Sequence, residues 1–139
     1  MTEDYVSFET AKLLKEKGFD EPCLSHYEVS DKQQYISDSE VKNSDFELEK
    51  GKCISAPTLQ MAMKWLREVH NLFIELQCYG CEANEKAHFE YSYVIREYLI
   101  YDNEICETVG LKHKHGKSRL NSYEEACEAA IKYCLENLI

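Results

Sequence analysis

The strongest constraint on this chain lies at residues 70–72, where the spacing of its apolar residues changes period. Before that point Leu59, Met61, Ala62, Met63, Trp65, Leu66 and Val69 recur with the repeat of a helix. After it, Leu72, Ile74, Leu76 and Cys78 alternate with Phe73, Glu75, Gln77 and Tyr79, the two-residue repeat of a strand with one face buried. A chain holding both periods side by side is expected to lay helices on a sheet. The helix should occupy 55–70, opened by Ser55-Ala56-Pro57, since proline has no N–H to lose in a first turn. Its apolar residues cover an arc of roughly 200°, wider than a surface helix needs. Two arrangements satisfy that arc: burial between the sheet and another helix, or exposure of Met61 and Trp65 as an interaction patch.

Two further helices flank this unit. Ser7 is placed to cap a first helix that ends at Gly18, with Phe8, Ala11 and Leu14 on one face. Ser122 followed by Glu125 is a capping box, and Tyr123, Cys127, Ala130, Ile131, Cys134 and Leu138 form the apolar stripe of a last helix. Its Glu124, Glu125, Glu128, Lys132 and Glu136 are expected to face water. Between the first two helices, residues 23–29 and 35–37 read as a hairpin and 38–52 as a loop or irregular edge strand.

Beyond residue 79 a second strand is expected over 88–99, with Phe89, Tyr91, Tyr93 and Ile95 on one side. Ala83, Ala87, Tyr91 and Ile95 also fit a helix there. Asp102-Asn103 reads as a turn, 104–109 as a further strand and 110–121 as a basic loop. The resulting expectation is a single α+β domain over 1–139, a short antiparallel sheet of three to five strands packed with three helices, in the order α-β-β-α-β-β-(β)-α.

A length of 139 residues is enough for one core without disulfides or metal. The acidic start Met1-Thr2-Glu3-Asp4 lacks the features of a secretory signal, and no apolar run is long enough for a membrane span. With an odd count of seven cysteines, this points to a cytoplasmic protein with reduced thiols. A net charge of -10 opposes nucleic-acid binding and suits solubility or a basic partner surface.

Three stretches carry a resemblance: residues 5–9 with 15–21 (Tyr-Val-Ser-Phe-Glu and Lys-Glu-Lys-Gly-Phe-Asp-Glu), residues 56–70 (Ala-Pro-Thr-Leu-Gln-Met-Ala-Met-Lys-Trp-Leu-Arg-Glu-Val-His) and residues 123–136 (Tyr-Glu-Glu-Ala-Cys-Glu-Ala-Ala-Ile-Lys-Tyr-Cys-Leu-Glu). They resemble a set of short uncharacterised proteins of gut-dwelling anaerobic bacteria, often encoded near phage-like or other mobile elements. The resemblance covers roughly a third of the chain, its three helices. It implies a bacterial cytoplasmic accessory protein and carries no activity or site residues with it.

Among motifs with chemical meaning, Cys78-Tyr79-Gly80-Cys81 has the spacing of a chelating thiol pair, and His113 and His115 supply two imidazoles for a tetrahedral zinc. The competing reading is a strand that ends in a Tyr-Gly turn. A redox dithiol is disfavoured because no helix follows to lower a thiol pKa. Gly116-Lys117-Ser118 lacks the earlier glycine of a phosphate-binding loop, Leu111 standing in its place. No nucleophile elbow or other catalytic signature is present, and nothing calls for a cofactor. If Phe73, Tyr79 and Tyr98 share the outer face of the sheet, they form an aromatic platform for a protein partner. The leading expectation is therefore a non-catalytic interaction protein using Met61, Trp65, Phe73, Tyr79 and Tyr98 against a protein partner or its own copy. Alternatives are a zinc module built on Cys78, Cys81, His113 and His115, and an acidic modulator of a nucleic-acid enzyme.

Overall fold

The computed structural model describes residues 4–49, 51–83, 86–101, 104–107 and 113–139, and in it the change of period falls on one residue. Helix α2 (Leu59–His70) ends at Asn71, whose φ of 55° and ψ of 28° are left-handed, and strand β4 (Leu72–Ala83) begins at the next residue. The Asn71 N–H closes the helix on the Leu66 carbonyl, while its own carbonyl accepts the Tyr98 N–H at 3.3 Å. The residue that ends the helix thus also opens the sheet. Asparagine tolerates this conformation better than any branched side chain.

The molecule is α+β, and among the described residues it has three helices and antiparallel strands that form two sheets rather than one. The first has the order β2-β1-β3, from β1 (Cys23–Glu28), β2 (Gln34–Val41) and β3 (Cys53–Ser55). In the second, β5 (Lys86–Tyr101) pairs antiparallel with β4, β6 (Glu104–Glu107) and β7 (His113–Leu120). Among the described residues no ladder joins the two sheets. Helices α1 (Phe8–Glu16), α2 and α3 (Tyr123–Asn137) connect them instead. One apolar cluster unites Val6, Leu14, Phe19 and Ile54 with Trp65, Leu66, Leu72, Ile95, Ile131 and Leu135. No described helix is long and apolar enough to cross a membrane.

Several expectations change in detail. Ser55 does not open α2 but ends β3, where Ala56 still donates to the Ser25 carbonyl at 2.8 Å. The residue before a proline favours extended backbone, so Pro57 keeps the chain in the sheet direction and Thr58 caps the helix, accepting the Met61 N–H at 3.2 Å. Within 38–52, β2 continues to Val41 and a 3-10 helix spans Asn43–Glu49. Asn43 is buried there because it spans two backbones, donating to the Phe19 carbonyl at 2.7 Å and accepting the Ser55 N–H at 2.9 Å.

The basic stretch read as a loop contributes β7, because β4 covers only one side of β5 over Tyr91–Ile95 and leaves the other side to be hydrogen-bonded. Residues 110–112 and the expected turn at Asp102-Asn103 lie outside the described residues.

Glu128, expected to face water, reaches across to α1. Its Oε1 accepts the Ser7 N–H at 3.0 Å, the Ser7 hydroxyl at 2.5 Å and the hydroxyl of the fully buried Thr10. A carboxylate at a helix N-terminus meets both the unpaired N–H groups and the positive end of the dipole.

Asn71→Val should cost about 1–2 kcal/mol, since a β-branched residue is forced into the left-handed region. Asn71→Gly should leave stability within about 0.5 kcal/mol of the parent. Urea melts of the two variants provide the check, and equal losses would contradict the assignment of Asn71 as a conformational cap.

A candidate interaction groove on helix α2

Helix α2 resolves its wide apolar arc mainly by burial. Leu59, Ala62, Trp65 and Leu66 are buried, while Met61 and Met63 are partly covered by the core. The Trp65 ring stands edge-on to Phe19 at 5.5 Å and to His70 at 4.6 Å, leaving 5% of the residue exposed. Trp65 is thus a core residue and not the centre of an exposed patch, because the connection from α1 to β1 brings Phe19 onto it. Truncating such a ring typically costs about 3–5 kcal/mol. Val69, one turn further on, is 55% exposed.

What remains accessible is a groove of about 250 Å³ beside the helix, lined by Met61, Trp65 and Val69 from α2, by Pro22, and by Glu21, Glu40, Lys64 and Glu68. The segment entering β1 supplies Glu21 and Pro22, and the end of β2 supplies Glu40. The groove therefore spans the gap between the first sheet and a helix that is continuous with the second. Lys64 lies 3.9 Å from Glu68, both more than half exposed, a pairing that tethers the ammonium weakly. Glu21 and Glu40 add two further negative charges over an apolar floor. Small-molecule sites usually occupy about 300–1,000 Å³, so this volume suits one or two side chains of a partner.

A larger hollow of about 630 Å³ lies between α1 and the first sheet, lined in part by Phe8, Lys12, Lys15, Val29, Lys32 and Ile54. Its cations are partly engaged: Lys15 donates to the Cys53 carbonyl at 3.3 Å, and Lys32 lies 3.7 Å from Glu9 and 5.2 Å from the Phe8 ring centre.

The expected aromatic platform divides in two. Phe73 and Tyr98 meet edge-to-face at 4.7 Å and are half-buried, whereas Tyr79 is 49% exposed and donates its hydroxyl to Gln77 at 2.7 Å. Six residues of strand, roughly 20 Å, separate Phe73 from Tyr79. The Arg96–Glu75 pair at 3.1 Å and the nearly buried Ser92 and Val94 occupy the same face between them. These three aromatics therefore present no continuous surface.

The proposed metal set is likewise dispersed along the ladder. Residues 72–83 form one unbroken strand, so Cys78-Tyr79-Gly80-Cys81 is not a turn, and positions three apart in a strand fall on opposite faces. Cys78 is opposite Tyr91, Cys81 opposite His88, His113 opposite Ile95 and His115 opposite Tyr93. The side chains of Cys81, His113 and His115 lie outside the described set. Among the described residues no cluster of three metal-binding side chains occurs.

Other reactive groups have structural positions. Burial pushes the thiols of Cys23 and Cys134 up to about 12 and that of Cys127 up to about 11, opposite to the change a nucleophile needs. Glu125 accepts the Asn121 N–H at 3.0 Å, completing the cap of α3. Comparison with known protein families, curated proteins and solved structures finds no match to this chain.

His70 sits under the groove floor, against Trp65, and among the described residues its Nε2 has no hydrogen-bond partner. Burial lowers its pKa from the usual 6.5. The unfolded chain therefore binds this proton first, and the stability associated with neutral His70 is complete above pH 6.5 and declines as pH falls toward the lowered native value. His70→Phe should flatten that part of a stability-versus-pH curve measured by urea unfolding. An unchanged slope would contradict a neutral His70 with a buried Nε2.

Proposed function

We propose that this chain is a non-catalytic interaction protein whose α2 groove receives an apolar side chain and a neighbouring cationic group from a partner protein. The observation that carries this reading is the apolar floor of Met61, Trp65 and Val69 beneath Glu21, Glu40 and Glu68, with Lys64 as the only cation of the lining among the described residues. An ammonium or guanidinium placed there gains attraction from several carboxylates while its aliphatic stem covers the floor. The net charge of -10 works in the same direction, steering basic partners toward the molecule.

A non-catalytic role also fits the described reactive groups, since the carboxylates of α3 cap helices and the buried thiols are held in their protonated form. A setting as an accessory protein of bacterial or mobile-element origin is part of the proposal and rests on the resemblance of the three helical stretches.

Val69 offers a test because it is exposed at the groove mouth, where substitution leaves the core intact. Selection of random peptides on the immobilised protein should enrich sequences that place lysine or arginine beside an aliphatic residue. Val69→Arg, which puts a cation of the chain's own into the groove, should weaken their binding about tenfold or more. Enrichment of acidic peptides, or binding indifferent to Val69→Arg in a variant shown to be folded, would overturn the proposal.

A further inference from the structure

Strand β2 is the least covered element of the first sheet. Among the described residues it pairs only with β1, and most of its residues are exposed, Ile36 by 67% and Tyr35 by 41%. At the opposite side of the same sheet, Asn43 accepts the Ser55 N–H and so closes β3. Nothing comparable among the described residues closes β2.

The register shows which backbone groups of β2 point outward. Glu28 donates to the Gln33 carbonyl at 3.1 Å, and His26 stands opposite Tyr35. On the other side of β1, Ala56 donates to the Ser25 carbonyl at 2.8 Å and Val29 to the Lys52 carbonyl at 2.7 Å. Residues 26 and 28 of β1 therefore serve β2, while 25 and 29 serve β3. By alternation, the main-chain groups of residues 33, 35 and 37 turn toward β1 and those of Gln34 and Ile36 turn away from the sheet. The Ile36 side chain lies on the same face as the buried Ser25 opposite it, yet is itself exposed.

Edge strands are commonly guarded by charges and bulges. Here the register shift opposite Cys23 and Ser25 and the residues Asp38 and Glu40 guard the far end, with charges of one sign only. Asp38 and Glu40 leave that end of the edge carrying negative charge alone, and like charges across a ladder are unfavourable, which disfavours an acidic strand there. A strand carrying lysine or arginine meets the opposite situation. Glu40 also lines the α2 groove, so a segment running along β2 past the shift arrives at that acidic, apolar hollow.

We infer that β2 accepts an extended, basic segment of a partner protein as an added strand, which delivers a side chain into the α2 groove. This rests on the proposal that the groove holds such a side chain, and adds how the partner is held. Main-chain bonds to Gln34 and Ile36 give affinity, and the carboxylates select basic over acidic sequences.

The test is solution NMR with a short acetylated peptide of alternating valine and lysine as probe, and its valine-glutamate counterpart as control. The Ile36 amide should exchange with solvent rapidly in the free protein and about tenfold or more slowly with the basic peptide. Methyl resonances of Met61 and Val69 should shift in the same titration. Methyl shifts without Ile36 protection would overturn strand addition while leaving the groove proposal standing. Ile36 protection without methyl shifts would uphold strand addition and remove the groove.

Absence of both responses, or equal protection by the acidic peptide, would overturn the inference. Ile36→Pro deletes the outward N–H without touching a bond to β1, a position where proline is tolerated. It should abolish the protection-linked affinity, and undiminished binding by that variant would also overturn strand addition.

Discussion

The arrangement depends on the carboxylate of Glu128. The two sheets share no ladder among the described residues, so their relative placement rests on the helical layer between them. Helix α3 packs on β4 and β5, and through Glu128 it holds the first turn of α1, which in turn lies against β3. Three donors from Ser7 and Thr10 converge on one oxygen, and Thr10 has no exposed surface. Removing that acceptor would leave the buried Thr10 hydroxyl and the Ser7 N–H without it, a cost well above that of an exposed ion pair. The Tyr27 hydroxyl, donated to the Val6 carbonyl at 2.7 Å, closes the same corner from β1.

The elements that local patterning specifies were legible in the sequence. The switch from helical to alternating spacing marked α2 and β4, and Ser7 and Ser122 marked the starts of α1 and α3. What was not legible came from long-range pairing. Strand β3 is three residues long and exists because β1 offers it a partner, and β7 carries a basic sequence onto the unpaired side of β5. Asn43 and Glu128 look like ordinary surface residues in a linear reading. Their partners lie 12 to 24 and 118 to 121 residues away, beyond any local signal.

The candidate site shows the same division. Met61 and Trp65 were identified from the breadth of the apolar arc, and both line the groove, but Trp65 does so from within the core. Val69 was part of that arc without being singled out, although its place at the margin of the stripe was the available signal. Glu21, Pro22 and Glu40 could not be found in this way, because only the folding of the first sheet against α2 brings them to the helix. Phe73 and Tyr98 did fall on one face, as alternation required, yet they satisfy each other rather than forming a surface with Tyr79.

Since the groove draws its walls from both halves of the molecule, its shape depends on the joint between α1 and α3. A double-mutant cycle on that joint is the most direct measurement, comparing Glu128→Ala, Thr10→Val and the double variant by urea unfolding. Mutual dependence of the two side chains predicts a coupling of about 1–3 kcal/mol, because each substitution removes the other's partner. Losses that add to within about 0.5 kcal/mol would contradict the claim that this carboxylate ties the two halves together.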